Sequence, residues 1–175
     1  VIRHQALGAV NLGYHSGPAN EGGAAVVSEG AGLFQAAGID SQAMPNLDLA
    51  RWQKLVWNVP YNGLSVLLGE GTTGLMASSH SRELIQALMA EVVQGAAACG
   101  HLLPEGYAEH LFQMTGRMPD YWPSMYHDYA LMRPLELQAI YGEPLARARA
   151  AGCTLPRMEM LYQALSFLDS SDGRR

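Results

Sequence analysis

The chain has 175 residues, 49% of them hydrophobic and 15% charged, and a formal net charge of −5. This length and composition suit one main globular domain, with room for part of another, and exclude a disordered chain. The acidic balance and the lack of a basic face argue against nucleic-acid binding, and no apolar run approaches the roughly 20 residues of a membrane span. We therefore expect a cytoplasmic protein with neither a nucleic acid nor a membrane as partner.

The first 45 residues are typical of the end of an α/β unit. Short β-favouring runs lie in residues 1–14, a helix is predicted from Ala24 to Ala37 and stops at Gly38, and a short strand follows. Asn46 or Asp48 is placed to cap the next helix. Because Val1 opens within this pattern, we expect the chain to be a piece of a longer protein.

Helical spacing dominates the rest of the chain, and the pattern predicts a mainly α fold built as a helical bundle. The helix at 48–68 is expected to be interrupted by Pro60 and Gly63. The other predicted helices are 79–100, 104–116, 125–132, 135–151 and 156–168. We therefore divide the chain into an α/β segment (1–45), a helical domain (46–170) and a flexible tail (171–175).

The segment GEGTTG (69–74) satisfies the GxGxxG spacing of dinucleotide-binding loops. That fingerprint requires a preceding strand and an acidic residue at the end of the next strand. Here a helix precedes the glycines and another helix follows them. We interpret the segment as a helix stop and turn.

Lys54, Asn58 and Asn62 form a polar stripe within a mostly apolar helix, since residues at this spacing lie within about 80° of one another. If the stripe faces the interior, other polar groups, water or a ligand must face it, because unpaired polar groups are costly to bury. Pro60 is expected to bend the helix between the two asparagines. The spacing alone is equally consistent with a polar stripe that simply faces solvent.

A second polar set comprises Ser124, Asp128 and Glu136, with Arg133 and Pro134 between the last two. An acid in the first turn of a helix is favoured by the helix dipole whatever its function, which could explain Glu136. Asp128 could pair with Arg133 or cap a turn. The residues alone leave a functional and a structural interpretation open.

The two cysteines, Cys99 and Cys153, lie far apart, and neither they nor the histidines have metal-ligand spacing. We expect two reduced thiols in or near the core and no metal site.

Five short motifs in order give the chain a resemblance to a known family. It resembles the C-terminal part of the ketopantoate reductases (2-dehydropantoate 2-reductases) along essentially its whole length. The matching segments are KLVWNVPYN (54–62), SMYHD (124–128), RPLE (133–136), IYG (140–142) and GCTLP (152–156). The resemblance implies a helical bundle like the C-terminal domain of 6-phosphogluconate dehydrogenase, preceded by a small α/β remnant of a Rossmann domain.

The resemblance also implies roles for individual residues. Lys54 would donate a proton to the ketone oxygen of a 2-oxo acid while NADPH delivers hydride to its carbonyl carbon. The substrate would be bound by Asn58, Asn62 and Ser124. Glu136 would contact the cofactor ribose and could help to orient Lys54. A positioned ammonium suits this chemistry, because hydride addition creates an alkoxide.

Several departures concern the substrate. The family usually has proline after the second asparagine, where this chain has Gly63, and Thr72 or Thr73 lies near a position where some members offer a further asparagine. Leu135 replaces a common threonine before the glutamate. The alternatives are therefore a reductase of another 2-oxo acid and a non-catalytic helical dimerisation module.

The family's cofactor-binding domain is represented here only by its expected last elements. We therefore expect NADPH to be bound mainly by an upstream domain and the fragment alone to be inactive. The helical domain is expected to allow a homodimer.

Overall fold

The computed structural model of the chain describes residues 9–15 and 22–171. The chain divides into two compact units, Val1–Arg51 and Trp52–Arg175, and the division falls a little after the boundary that we predict at residue 45. None of the described helices is both long enough and apolar enough to cross a membrane. The predicted flexible tail lies outside the described residues beyond Ser171.

The first unit contains a strand, a helix and a second strand. Strands β1 (Val10–Gly13) and β2 (Ser41–Met44) are parallel, and helix α1 (Gly23–Ala36) connects them. A parallel pair needs such a crossover, because the chain must return to the starting end of the sheet before the second strand begins, and a tight turn can join only antiparallel strands. Gly38, with φ of 78°, follows the helix in the left-handed conformation that favours glycine. The predicted small α/β segment is confirmed.

Helix α2 (Leu47–Leu68) begins in the first unit and continues through the second. Asn46 caps it, since its Oδ1 accepts the N–H of Leu49 at 2.9 Å. The predicted interruption is wrong, because the helix runs through Pro60 and Gly63 without a break. A proline inside a helix costs about 3 kcal/mol, and the continuous burial of α2 from Val59 to Val66 offsets that cost.

The second unit is otherwise helical, which confirms the mainly α fold. Its remaining elements are α3 (Thr72–Ala77), α4 (Ser79–Ala98), α5 (Tyr107–Thr115), α6 (Ser124–Ala130), a π-turn (Gln138–Gly142), α7 (Glu143–Ala150) and α8 (Pro156–Ser171). The prediction of one regular helix over 135–151 is wrong. Pro144 has no N–H to offer the carbonyl of Ile140, and the backbone adopts the wider π-turn just before it.

One hydrophobic core holds the second unit together. Every helix of the unit contributes to it, from Trp52 and Val56 on α2 to Leu161 and Leu165 on α8. The segment of α2 from Val59 to Val66 lies within this core, since each of its residues is buried. A helix buried all round can hold polar side chains only where partners exist for them, so the stripe on α2 must be accounted for group by group.

The segment GEGTTG ends one helix and starts another. Gly69, with φ of 68°, stops α2, and α3 begins at Thr72. Asp120 accepts the N–H of Thr73 at 2.8 Å, so a carboxylate of the chain itself holds the start of α3. The interpretation as a helix stop is confirmed, whereas α3 was not predicted. A helix and not a strand precedes this segment, and Asp120 already occupies the start of α3 where a dinucleotide phosphate would bind.

Candidate functional site

The predicted polar stripe on α2 passes from solvent to core. Lys54 is exposed, Asn58 is half-buried and Asn62 is only 2% exposed. The three residues share a face because α2 is continuous through them. Lys54 is also the single lysine of the chain. The stripe is therefore neither wholly internal nor a plain solvent-facing side.

Asn62 connects the stripe to the second predicted polar set. Its side-chain Oδ1 accepts the backbone N–H of Met125 at 3.2 Å, in the first turn of α6. Ser124 immediately precedes Met125 and is exposed. One buried amide thus caps a helix from outside, which satisfies an N–H that the helix leaves without a partner. The fold brings Asn62 and the backbone beside Ser124 together.

The end of α6 explains Asp128. Its carboxylate lies 3.5 Å from the guanidinium of Arg133, and the carbonyl of Asp128 accepts the N–H of the same residue at 2.8 Å. Between them Met132 adopts the left-handed conformation, with φ of 55°. This is the arrangement of a helix C-cap, usually made with glycine. Pairing with Arg133, one of the two structural interpretations, is what the structure contains.

Glu136 lies on the segment that leads into the π-turn. The residue is exposed, while Leu135 and Leu137 on either side are buried. The N–H of Leu135 donates to Asp169 Oδ1 of α8 at 3.3 Å, which anchors the segment. Within the described residues, no ion pair or hydrogen bond joins Glu136 to Lys54, so a direct orienting contact between them stays a prediction.

Tyr141 connects the π-turn to the middle of α2. Its hydroxyl donates to the carbonyl of Val59 at 2.8 Å, and the whole side chain is buried. A Cβ built on Gly63 would lie 2.5 Å from this hydroxyl oxygen and 2.7 Å from Leu161 Cδ2. This contact explains the departure at residue 63, because proline would neither fit there nor offer an N–H. Sequence spacing gave no signal for this contact.

An aromatic pair lies on the side of α2 next to the stripe. Trp57 and Tyr61 stack with ring centroids 4.8 Å apart, and the indole N–H of Trp57 donates to Thr115 Oγ1 at 3.0 Å. Burial raises the pKa of Tyr61 to about 12, against an opposing hydrogen bond with Thr115. Burial also raises the pKa of Tyr141 far above its ordinary value. Both tyrosines are therefore neutral hydrogen-bonding groups near neutral pH.

Thr72 and Thr73, which lie near the position of a further asparagine in some family members, have structural partners. Thr72 is 1% exposed, accepts the N–H of Tyr121 at 2.9 Å and donates its own N–H to the carbonyl of Tyr121 at 3.0 Å. Thr73 is exposed, and its N–H is bound by Asp120. Thr72 therefore holds the loop at Tyr121, and its side chain is buried.

The cysteines are free and half-buried against the core, as predicted. Burial raises the pKa of the Cys99 thiol, which is the direction expected for an unreactive structural cysteine. Among the described residues, no group of three or more histidine, cysteine, aspartate or glutamate side chains lies together as metal ligands would.

Comparison with known proteins gives the class of the helical unit. A sequence profile described as "Ketopantoate reductase PanE/ApbA C terminal" matches residues 46–169. This range contains all five predicted site residues and lies mostly within the second unit. The class is therefore that of the helical C-terminal domain of the ketopantoate reductases, and the chain belongs to that family.

Individual relatives agree with this assignment. A 2-dehydropantoate 2-reductase of Nostoc is 42% identical over 169 residues, covering 96% of this chain and 53% of that protein. The crystal structure of a 2-dehydropantoate 2-reductase from Methylococcus capsulatus is 35% identical, with a TM-score of 0.87, over 98% of this chain and 54% of that one. A dimeric ketopantoate reductase from Staphylococcus aureus is 27% identical, with a TM-score of 0.78, over 85% of this chain and 52% of that one. The chain thus spans about half the length of these relatives.

Proposed function

We propose that this chain is the substrate-binding and catalytic part of an NADPH-dependent 2-dehydropantoate 2-reductase, which reduces ketopantoate to pantoate. The main support is the identity of 42% with the Nostoc protein of that name, over 96% of this chain. The activity is proposed for a whole protein of the relatives' length, in which an upstream domain binds most of the cofactor. The proposal includes a cytoplasmic location and a role in pantothenate and coenzyme A synthesis.

Lys54 is proposed as the general acid. Its ammonium is exposed on α2, and no ion pair or hydrogen bond engages it within the described residues. An ammonium near the ketone oxygen stabilises the negative charge that develops on that oxygen and then supplies its proton. The bond formed is O–H and the bond broken is N–H, which leaves a neutral amine to be reprotonated from water. This role requires Lys54 to face the bound 2-oxo acid.

Neutral amides and a hydroxyl are proposed to hold the substrate. Asn58 is half-buried one turn along α2, and Ser124 is exposed at the start of α6. Asn62 has its Oδ1 engaged by Met125, which leaves its two amide N–H groups as donors. Uncharged N–H and O–H donors suit a substrate that brings its own carboxylate, because they can hydrogen-bond to that negative charge.

The cofactor contact proposed for this chain fits the chemistry of Glu136. Its carboxylate is exposed and makes no ion pair within the described residues, so it can accept hydrogen bonds from ribose hydroxyls. NADPH, when bound, supplies the hydride. The described part of the first unit holds only two short strands and one helix, which is why most cofactor contacts are assigned to an upstream domain.

Two alternatives remain as proposals of different kinds. A reductase of another 2-oxo acid is favoured by Gly63 in place of the family's usual proline, because the residue after Asn62 affects the helix geometry at that asparagine. A non-catalytic dimerisation module would use the helices only as structure. A homodimer is compatible with both reductase proposals, since the S. aureus relative is described as dimeric.

The test joins the chain to an upstream dinucleotide-binding domain and compares wild type with Lys54→Ala. Wild type should oxidise NADPH with ketopantoate, and the variant should lose about 10²-fold or more in kcat, as expected when a general acid is removed. The Kd for NADPH should stay unchanged, because the cofactor is held elsewhere. Stopped-flow absorbance at the NADPH band measures turnover, and fluorescence titration measures cofactor binding.

Gln53→Ala, a neighbour of Lys54 on α2, is the matched control and should keep wild-type kcat. If Lys54→Ala keeps the wild-type kcat, Lys54 is not the general acid and has only a structural role. Turnover with other 2-oxo acids in preference to ketopantoate would favour the first alternative. Absence of turnover with every 2-oxo acid tried would favour the dimerisation module.

A further inference from the structure

The turn of α2 between the two substrate asparagines has a weakened backbone. Pro60 lacks the N–H that would bond the carbonyl of Val56. Gly63, in the same turn, costs about 0.5–1 kcal/mol in a helix relative to alanine. Asn58 and Asn62 lie on either side of this weak point. Their orientation therefore depends on contacts made from outside the helix.

The hydroxyl of Tyr141 is such a contact. It donates to the carbonyl of Val59 at 2.8 Å, and its oxygen lies 2.5 Å from the position that a Cβ on Gly63 would occupy. In a regular helix the carbonyl of Val59 and the N–H of Gly63 bond each other, because these residues are four apart. The hydroxyl therefore contacts both ends of the turn that carries Asn62.

Gly63 is what admits this hydroxyl. A Cβ at residue 63 would lie 2.5 Å from the Tyr141 oxygen and 2.7 Å from Leu161 Cδ2. Such separations are shorter than any van der Waals contact, so the two residues form a pair in which the small one makes room for the large one. Glycine is needed here because it lets Tyr141 approach closely. Its backbone conformation is not the reason, since Gly63 is helical.

The backbone that carries Tyr141 has an unusual conformation. It lies in the π-turn Gln138–Gly142, and π-turns within helices are often found at functional sites. Glu136 lies on the segment that enters the same turn, and its carbonyl accepts the N–H of Ile140 at 3.1 Å. Tyr141 thus connects the segment proposed to meet the cofactor with the turn proposed to meet the substrate.

We propose that Tyr141, seated against Gly63, is a positioning residue of this reductase: its hydroxyl fixes the turn of α2 that orients Asn58 and Asn62 toward the 2-oxo acid. The proposal rests on the proposed function for its kinetic consequence. Its structural consequence, the placement of the Asn62 amide against Met125, can be measured without substrate.

The kinetic test uses Tyr141→Phe in the chain joined to an upstream cofactor-binding domain. The ring is retained and only the hydroxyl is lost, so KM for the 2-oxo acid should rise about 10-fold, a difference of about 1.4 kcal/mol, with an unchanged Kd for NADPH. Tyr162→Phe is the matched control, because Tyr162 stacks on Tyr141 at 6.3 Å and should keep wild-type KM. Assays run well below the melting temperature of each variant.

The second test reads the amide of Met125 by hydrogen exchange. Exchange of this amide should quicken in Tyr141→Phe relative to wild type and to Tyr162→Phe, because Asn62 Oδ1 is its acceptor. Gly63→Ala should produce the same change by displacing the hydroxyl. The double variant Gly63→Ala with Tyr141→Phe should be more stable than Gly63→Ala alone, since removing the hydroxyl relieves part of the clash.

The outcomes separate the two proposals. An inactive wild type with faster Met125 exchange in Tyr141→Phe would reject the proposed function and keep the positioning contact. An active wild type whose Tyr141→Phe variant has a lower melting temperature but unchanged KM, kcat and Met125 exchange would reduce Tyr141 to a stabilising core residue and overturn the proposal.

Discussion

Glu91 shows how a single side chain can hold two helices together. It lies on α4 and is 5% exposed. Its carboxylate accepts the backbone N–H groups of Arg157 at 3.1 Å and Met158 at 2.9 Å, and the guanidinium of Arg157 at 3.2 Å. These N–H groups belong to the first turn of α8, where a helix has no acceptors of its own and where its dipole favours negative charge.

We predict that Glu91→Ala lowers the free energy of unfolding by about 2–4 kcal/mol, because the buried N–H of Met158 and the part-buried N–H of Arg157 lose their acceptor. Glu91→Gln should cost less, since one amide oxygen remains. Urea unfolding followed by circular dichroism measures both. Glu83→Gln, an exposed change on the same helix, is the control and should stay within about 0.5 kcal/mol of wild type. An unchanged urea midpoint in Glu91→Ala would contradict the capping role.

At the scale of elements, α3 is a short helix whose start depends on a distant acid. Asp120 Oδ1 accepts the N–H of Thr73 at 2.8 Å and lies 3.5 Å from the hydroxyl of Thr72. The N–H of Thr73 holds the pKa of the Asp120 carboxyl below the ordinary aspartate value of 3.8. A lowered pKa means that the ionised carboxylate stabilises α3 above pH 3.8, and that this stabilisation is lost as the pH falls through the lowered value.

We predict that Asp120→Asn speeds hydrogen exchange at the Thr73 amide near neutral pH, because the charge-assisted hydrogen bond is weakened. Asp128→Asn changes an acid on α6 that pairs with Arg133, and it should leave the exchange of the Thr73 amide unchanged. A carbon-13 NMR titration of Asp120 should give a midpoint below 3.8. A midpoint at or above 3.8, with unaltered Thr73 exchange in the variant, would remove Asp120 from this role.

At the scale of the whole molecule, two neutral tyrosines lie in the central core. Tyr61 and Tyr141 are both fully buried, and burial raises the pKa of Tyr61 to about 12 and that of Tyr141 further. In the unfolded chain tyrosine loses its proton near about pH 10. Above that pH the unfolded state binds fewer protons than the folded state, so the free energy of unfolding falls as the pH rises. Below it, this contribution to stability is complete.

We predict that unfolding free energy falls by about 2–3 kcal/mol between about pH 10 and pH 12 from Tyr61 alone, at about 1.4 kcal/mol for each pKa unit. Tyr61→Phe should flatten this decline, although it also loses the hydrogen bond to Met76 Sδ at 3.3 Å. Tyr121→Phe, at a residue that is 44% exposed, is the control and should keep the wild-type slope. Urea midpoints at several alkaline pH values measure the effect. Equal slopes in all three proteins would argue against buried neutral Tyr61.

Local signals predicted much of the fold. The α/β start, the end of α1 before Gly38 and the cap at Asn46 were predictable, because glycine in the left-handed conformation and an asparagine N-cap act within one turn of the chain. The regular helix expected at 135–151 was wrong since Pro144 favours the π-turn before it. Helix α3 was missed because its cap, Asp120, lies far away in sequence.

The sequence by itself determined the helical class, the family and the five candidate site residues, because periodicity and short motifs are properties of neighbouring residues. Tertiary structure alone decided that Asn62 is buried against Met125, that Gly63 makes room for Tyr141, and that Glu91 caps α8. Each of these contacts joins residues far apart in the chain, so no local pattern encodes it. Burial then makes each one matter, since a polar group removed from water must find its partner elsewhere in the fold.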